Sequence, residues 1–370
     1  MHAPVPPLAH PMTENPIRTP RLEGLDLARW VALLGMVVVN FKVVMGATEG
    51  GAVATLLTKA LEGKAAATFV VLAGIGLGLA SQRDLSRSAV VTVRRAGFLL
   101  AAGLLNMTVF EADILHYYAL YFLLGVPFLA RRDGVLALAI LGLNLLFFLL
   151  VVVLDYEAGW SWETLTYTDL WTVGGFARNL FFNGFHPVVP WLGFLLFGIL
   201  LSRRDLNRRA TQVRLAAGGA AALLLAELLR YLLEEPLAAV DPELAVLAST
   251  SPMPPLPLYT LAGLGAASAV TGMCLLSAGW LERTGALALL VPAGRQTLTL
   301  YVAHILVGMG TLDALGLLAD PSGPDAQPRS LELALVCSLA FTGAATLASF
   351  AWSRRFRRGP LEAVMRGIAG

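Results

Sequence analysis

The chain has 370 residues, 57% of them hydrophobic and only 14% charged, with a formal net charge of +2. Soluble domains carry about 25% charged residues, so a water-soluble enzyme is excluded, and the small net charge offers no basic footprint for nucleic acid. The apolar excess lies in repeated runs of membrane-spanning length, and the expected fold is all-α: a polytopic helical bundle of about ten transmembrane helices.

In chain order, residues 1–20 are polar and Pro-rich without an apolar core, and read as a tail before one transmembrane unit at 21–370. Spans are expected near 25–45, 65–81, 96–110, 114–130, 134–154, 187–202, 213–233, 258–278, 294–316 and 331–352. The stretch 52–63 is amphipathic and suits a helix lying flat, and the Gly-interrupted stretch 170–186 suits an interfacial or re-entrant piece.

The first span carries Asp26, Arg29, Asn40 and Lys42 among apolar residues. At about 100° per residue, Asp26, Arg29 and Asn40 share one face within roughly 60°. Arg29 and Asn40 are separated by a rise of about 16 Å, half the hydrocarbon core. The bland reading is a salt-bridged helix start plus one packing amide, with Lys42 snorkelling at the far end. "GIGLGLAS" at 74–81 follows no strand, so its glycines suit close helix packing rather than a dinucleotide.

Asp113, His116 and Tyr117 fall on one face where the fourth span begins, at a depth similar to Asn106. His186 precedes Pro187 at the start of the sixth span, either as a water-facing cap or as a base. Glu227 and Arg230 pair on the seventh span. In the ninth, Thr297, Tyr301, His304 and Gly308 form a second polar stripe behind Arg295. His304 is near mid-membrane, where an ionisable group is a functional candidate, although a neutral imidazole bonded between helices explains it as well. Cys274 and Cys337 lie in apolar runs and read as core, with neither a disulfide nor a metal site expected.

Basic residues gather in alternate connections, at 83–95, 131–132, 203–214 and 354–366, while the intervening ones are mostly acidic. This alternation fits a multi-pass protein of the cell membrane with both termini cytoplasmic. No internal repeat marks the inverted halves of a transporter.

"RLEGLDLARWVALLGMVVVNF", "PAGRQTLTLYVAH" and "FRRGPLEAVMR", with "DILHYYALYFLLG" and "HPVVPWLGFLLFG", resemble the YeiB-like membrane proteins, a family of unknown function. The N-terminal half also resembles the transmembrane catalytic domain of heparan-alpha-glucosaminide N-acetyltransferase, through "LDLARWVALLGMVVVNF". That resemblance implies transfer of an acetyl group from cytoplasmic acetyl-CoA to an amino sugar across the membrane. It also implies that Asn40 matches an active-site asparagine. Where that family carries its histidine, this chain has Gly51.

The leading expectation is therefore a membrane acyltransferase, moving an acyl group from a cytoplasmic acyl-CoA to an extracytoplasmic sugar, lipid or envelope metabolite. Asp26, Arg29, Arg94, Arg95 and Arg295 would serve the anionic donor, and His186, Asn40, Asp113 and His116 the chemistry. Tyr301, His304, Glu227 and Arg230 remain further polar candidates, and membrane lipids and a small-molecule or glycan acceptor are the expected partners. The alternatives are a transporter of a small polar or lipid-linked solute, and a non-enzymatic membrane partner protein. The oligomeric state is left open, a homo-oligomer included.

Overall fold

A computed structural model describes residues 22–319 and 329–370; the expected tail at 1–20 lies outside them. The first apolar run forms α1 (Glu23–Val44), which becomes the centre of the bundle. Around it pack α3 (Lys64–Ser81), α10 (Pro257–Arg283), α11 (Ala286–Arg295) and α14 (Leu331–Ser353). The amphipathic stretch forms α2 (Ala52–Leu61), which points Val53, Leu56 and Leu57 outward.

Further out lie α4 (Leu85–Met107), the shorter α5 (Leu115–Gly125), α6 (Asp133–Val153), α8 (Val188–Ser202) and α9 (Arg209–Val240). Only 17% of the spanning window of α6 and 11% of that of α9 is buried, although both are strongly apolar. Such outward faces need a hydrocarbon solvent, and helices satisfy their own backbone groups within it.

Eight helices among the described residues are long and apolar enough to cross a membrane. Two more of the ten expected spans take other forms. Residues 114–130 form a short apolar helix, and the sixth is half of a bent pair, Val173–Asn183 with Val188–Ser202, broken by 47°. The Gly-interrupted stretch thus contains α7 (Val173–Arg178) and a π-helical turn, Asn179–Asn183.

The glycines of "GIGLGLAS" act at contacts. A Cβ on Gly74 would lie 2.2 Å from the carbonyl oxygen of Leu195 on α8, and one on Gly198 would lie 2.1 Å from that of Val71 on α3. Without hydrophobic driving force between spans, such close backbone approach is what holds them together. Gly76 leaves room for the guanidinium of Arg29, 3.3 Å from where a Cβ would stand.

Three features have no counterpart among the expected elements. A small antiparallel hairpin, β1 (Trp160–Ser161) with β2 (Thr166–Tyr167), covers one end of the bundle. The ninth span is interrupted. It starts at Gln296 and runs through α12 (Thr297–Ala303), a π-helical turn (His304–Met309) and α13 (Gly310–Ala314). The C-terminal basic motif folds into an amphipathic helix, α15 (Pro360–Ala369), packed on α4 and α12.

Candidate functional site

The polar stripe of α1 reaches two cavities at opposite ends of the helix. At its start, Asp26 is 1% exposed and holds two arginines. Its Oδ1 accepts from Arg29 at 2.6 Å and its Oδ2 from Arg295 at 3.1 Å. Arg295 also donates to Glu23 at 2.7 Å. Asp26 thereby ties α1 to α11 and aims Arg29 at a cavity of about 520 Å³. That cavity is also lined by Arg95, Arg295, Arg357, Arg358 and Arg366. An adjoining lobe of about 620 Å³ adds Arg83 and Arg87. Arg94, expected beside Arg95, is exposed and lines neither lobe, although its guanidinium stands near Gly370 at the edge of the second. Arginine forks suit phosphate oxygens, so the chemistry of this wall fits a polyanionic ligand.

Toward the other end of α1, Asn40 lines a cavity of about 240 Å³. His186 lines the same cavity, delivered by the break between α7 and α8. Its ring meets Tyr117 and Trp191 edge-on, at 5.8 and 4.6 Å between centroids. The loop at 251–253 and Leu165 of the hairpin complete this side.

Asn40 meets His304 at 2.9 Å between Nδ2 and Nε2. The other ring nitrogen of His304 lies against the Tyr301 carbonyl oxygen, which can only accept. Nδ1 therefore carries the proton, and Nε2 accepts from the Asn40 amide. One amide hydrogen of Asn40 is fixed in this way, leaving the second for the cavity. The π-helical turn begins at His304, and such bulges recur at functional sites.

Tyr301 and Ile114 line both cavities, so these side chains form the wall between them. The Tyr301 hydroxyl donates to Asp113 at 3.2 Å and accepts from the backbone N–H of Ile114 at 3.1 Å. Asp113 is fully buried and also accepts from Asn106 at 2.8 Å and Leu115 N–H at 2.7 Å. His116 lies behind it, its Nδ1 3.6 Å from Asp113, with no hydrogen bond to either ring nitrogen.

The structure therefore places the candidates unevenly. Asn40 and His186 share a cavity, whereas Asp113 stands behind its wall, bonded to Tyr301, and His116 lies behind Asp113. Glu227 and Arg230 line neither cavity. They pair at 3.1 Å on α9, where Glu227 also accepts from Thr250 and neighbours Lys64.

Glu362 of α15 was not among the candidates. Its carboxylate accepts from the backbone N–H groups of Leu298 and Thr299, at 2.8 and 3.1 Å, and from the Thr299 hydroxyl at 2.6 Å. It caps the helix that carries Tyr301 and His304. Gly51, just before α2, donates its N–H to Glu332 of α14 at 2.6 Å. Among the described residues, no His, Cys, Asp and Glu cluster suited to a metal ion is present.

No curated protein and no solved structure matches the chain. Residues 201–369, which carry Arg295, Tyr301, His304 and Glu362, match the YeiB-like family of unknown function, DUF418. Residues 21–236, more than half of the chain, match the family described as heparan-alpha-glucosaminide N-acetyltransferase, catalytic. With Asn40 and His186 inside that match and sharing one cavity, the chain belongs to the heparan-alpha-glucosaminide N-acetyltransferase catalytic-domain family.

Proposed function

We propose that the protein transfers an acetyl group from cytoplasmic acetyl-CoA to a hydroxyl or amine presented from the opposite face of the cell membrane. One observation carries this reading: Tyr301 and Ile114 line both the arginine-walled cavity and the cavity that holds Asn40 and His186. A donor and an acceptor entering from opposite faces therefore meet at one wall. The arginine-rich end is assigned to the cytoplasm because basic connections are retained there.

The residues take distinct tasks. Arg29, Arg95 and Arg295 bind the donor phosphates, joined by Arg357, Arg358 and Arg366 from the C-terminal segment. Displacement of Tyr301 lets the thioester reach Asn40. The second amide hydrogen of Asn40 then stabilises the charge developing on the acyl oxygen. His304 acts as a positioning residue by holding that amide. His186 takes the proton as the acceptor oxygen or nitrogen bonds to the acyl carbon. The carbon–sulfur bond breaks, and the proton passes to the departing thiolate, so the products are acylated acceptor and protonated CoA.

The deciding experiment is acetyl-CoA binding and hydrolysis by the purified protein. Saturable binding with slow hydrolysis is the expected result, and Asn40→Ala should lose the hydrolysis while keeping the binding; absence of binding at millimolar donor removes the reading. The same shared wall favours a second reading, passage of a small polar solute through the two cavities in turn. Solute uptake into liposomes without any acetyl-CoA turnover selects it.

A further inference from the structure

The two cavities differ in chemistry, and the difference bears on the acceptor. The charged side chains on the wall of the outer cavity are Lys42 and Glu62, which form an ion pair with each other and cancel. The arginine lobes supply many positive groups, whereas this cavity leaves none uncompensated for a polyanion. Most of the remaining wall is apolar: Met36, Val39, Val43, Ala65, Phe110 and Met253. These side chains offer a free sugar nothing that an alkyl-linked one lacks, whereas a hydrocarbon tail laid against them leaves water.

Size narrows the choice further. An engineered cavity of about 150 Å³ takes one benzene, so about 240 Å³ holds one ring-sized head group and not an oligosaccharide. The rim shows where the rest of such a molecule goes. Val43 and Leu165 line the cavity, yet each is 39% exposed. Leu61, the last residue of α2, also lines the cavity, and the outward face of the same helix carries Leu56, 70% exposed.

Resting on the acyl-transfer reading, we infer that the acceptor is an uncharged amphiphile, a ring-sized hydroxylated or amino head group on a hydrocarbon tail. Its head sits between Asn40 and His186, and its tail leaves past Val43 and Leu165 into the bilayer. The acceptor class therefore differs from the heparan-alpha-glucosaminide of the family's name.

The test uses the full chain in nanodiscs with octyl glucoside below its micelle concentration, methyl glucoside, octyl glucuronide and a uronate-containing disaccharide. With acetyl-CoA present, kcat/KM for octyl glucoside should exceed that for methyl glucoside by at least about ten-fold, the factor from burying two methylenes. The disaccharide should give no product. Equal rates for the two glucosides, or preference for the disaccharide, overturn the inference. Without donor, octyl glucoside should still bind saturably, and Ala66→Trp, which fills the cavity, should abolish binding. Binding unaffected by Ala66→Trp also overturns it. Glu62→Gln leaves Lys42 uncompensated, so affinity for octyl glucuronide should rise about five-fold or more, as one new charge contact provides; no gain counts against a neutral, self-cancelled wall. Binding of octyl glucoside with no acetyl transfer to anything would remove the acyl-transfer reading alone. Transfer to free sugars would remove this inference alone.

Discussion

Asn40 and His304 form one unit, since the imidazole fixes the amide and the Tyr301 carbonyl fixes the imidazole. Asn40→Ala should lower acetyl transfer by about 10²–10³-fold, the usual loss for one oxyanion donor. His304→Ala should lose most of that factor as well, and the double variant should lose little more than either. Turnover in the double-mutant cycle checks this, and additive losses would assign His304 an independent chemical role. Arg29→Ala has a different signature. Asp26 keeps Arg295 at 3.1 Å, so its buried carboxylate is not stranded. Stability should therefore fall by less than the roughly 3–5 kcal/mol of a broken buried pair, while donor affinity drops about ten-fold or more. Thermal unfolding beside acetyl-CoA titration separates the two effects; a large stability loss with unchanged affinity makes Arg29 structural. The stripe of α1 was legible in the sequence because residues three, four and eleven apart share a helix face. The meeting of Asn40 with His304, 264 positions away, was not, because helical periodicity says nothing about which helix a face meets.

At the scale of elements, α12 carries the wall tyrosine and leads directly into the turn that holds the imidazole, and its start depends on a residue more than sixty positions later. Glu362→Ala removes the acceptor for two backbone N–H groups and one hydroxyl. It should cost about 1–3 kcal/mol and lower turnover, through loss of alignment, more than it alters donor affinity. Melting temperature and a kcat against KM comparison read this, with Glu362→Gln recovering part of the loss. The motif "FRRGPLEAVMR" was visible as a basic C-terminal stretch. The capping role of its glutamate left no local signal, since a cap supplied from another helix follows none of the spacing of ordinary caps. The interruption of the ninth span was hidden for a similar reason. "PAGRQTLTLYVAHILVGMG" is continuously apolar enough to pass as one helix, and the π-helical turn at His304–Met309 adds no residue type of its own. The amphipathic character of 52–63 and the glycine contacts of α3 were readable, because each rests on spacing within one helix.

The whole molecule is a set of apolar helices with its charge sorted to the ends, and the sorting predicts an orientation. Asn207→Cys, exposed beside the basic connection, should label only from the cytoplasm, and Asp241→Cys, exposed in the acidic one, only from outside. Ser202, the last residue of α8 before that connection, is buried against α3, so it is no reporter. Labelling of Asn207→Cys from outside and of Asp241→Cys from the cytoplasm reverses the assignment of the two cavities, and equal labelling of both from outside overturns the orientation. The span count was nearly legible from hydropathy. The departures, a short helix at 114–130 and a bent pair around His186, are the segments where chain leaves regular geometry to line a cavity.

The wall shared by Tyr301 and Ile114 also has an electrical meaning. With the two cavities open to opposite faces, each carries its compartment's potential inward, and the membrane voltage concentrates on those two side chains rather than over the roughly 30 Å of hydrocarbon. A single charge crossing that step alone would feel about 2.3 kcal/mol per 100 mV, a factor of about fifty in rate. Acyl transfer moves none: the acyl group leaves its electron pair on sulfur as it goes outward, and a proton comes inward in exchange, so the donor keeps its charge and the acceptor stays neutral. Acetyl turnover in liposomes should therefore be indifferent to a potassium diffusion potential of either sign. A rate that rises steeply with an inside-negative potential would instead mean that a proton or a charged solute crosses Tyr301 alone, the signature of the transport reading. The wall would concentrate the field, and the chemistry proposed across it would be blind to it.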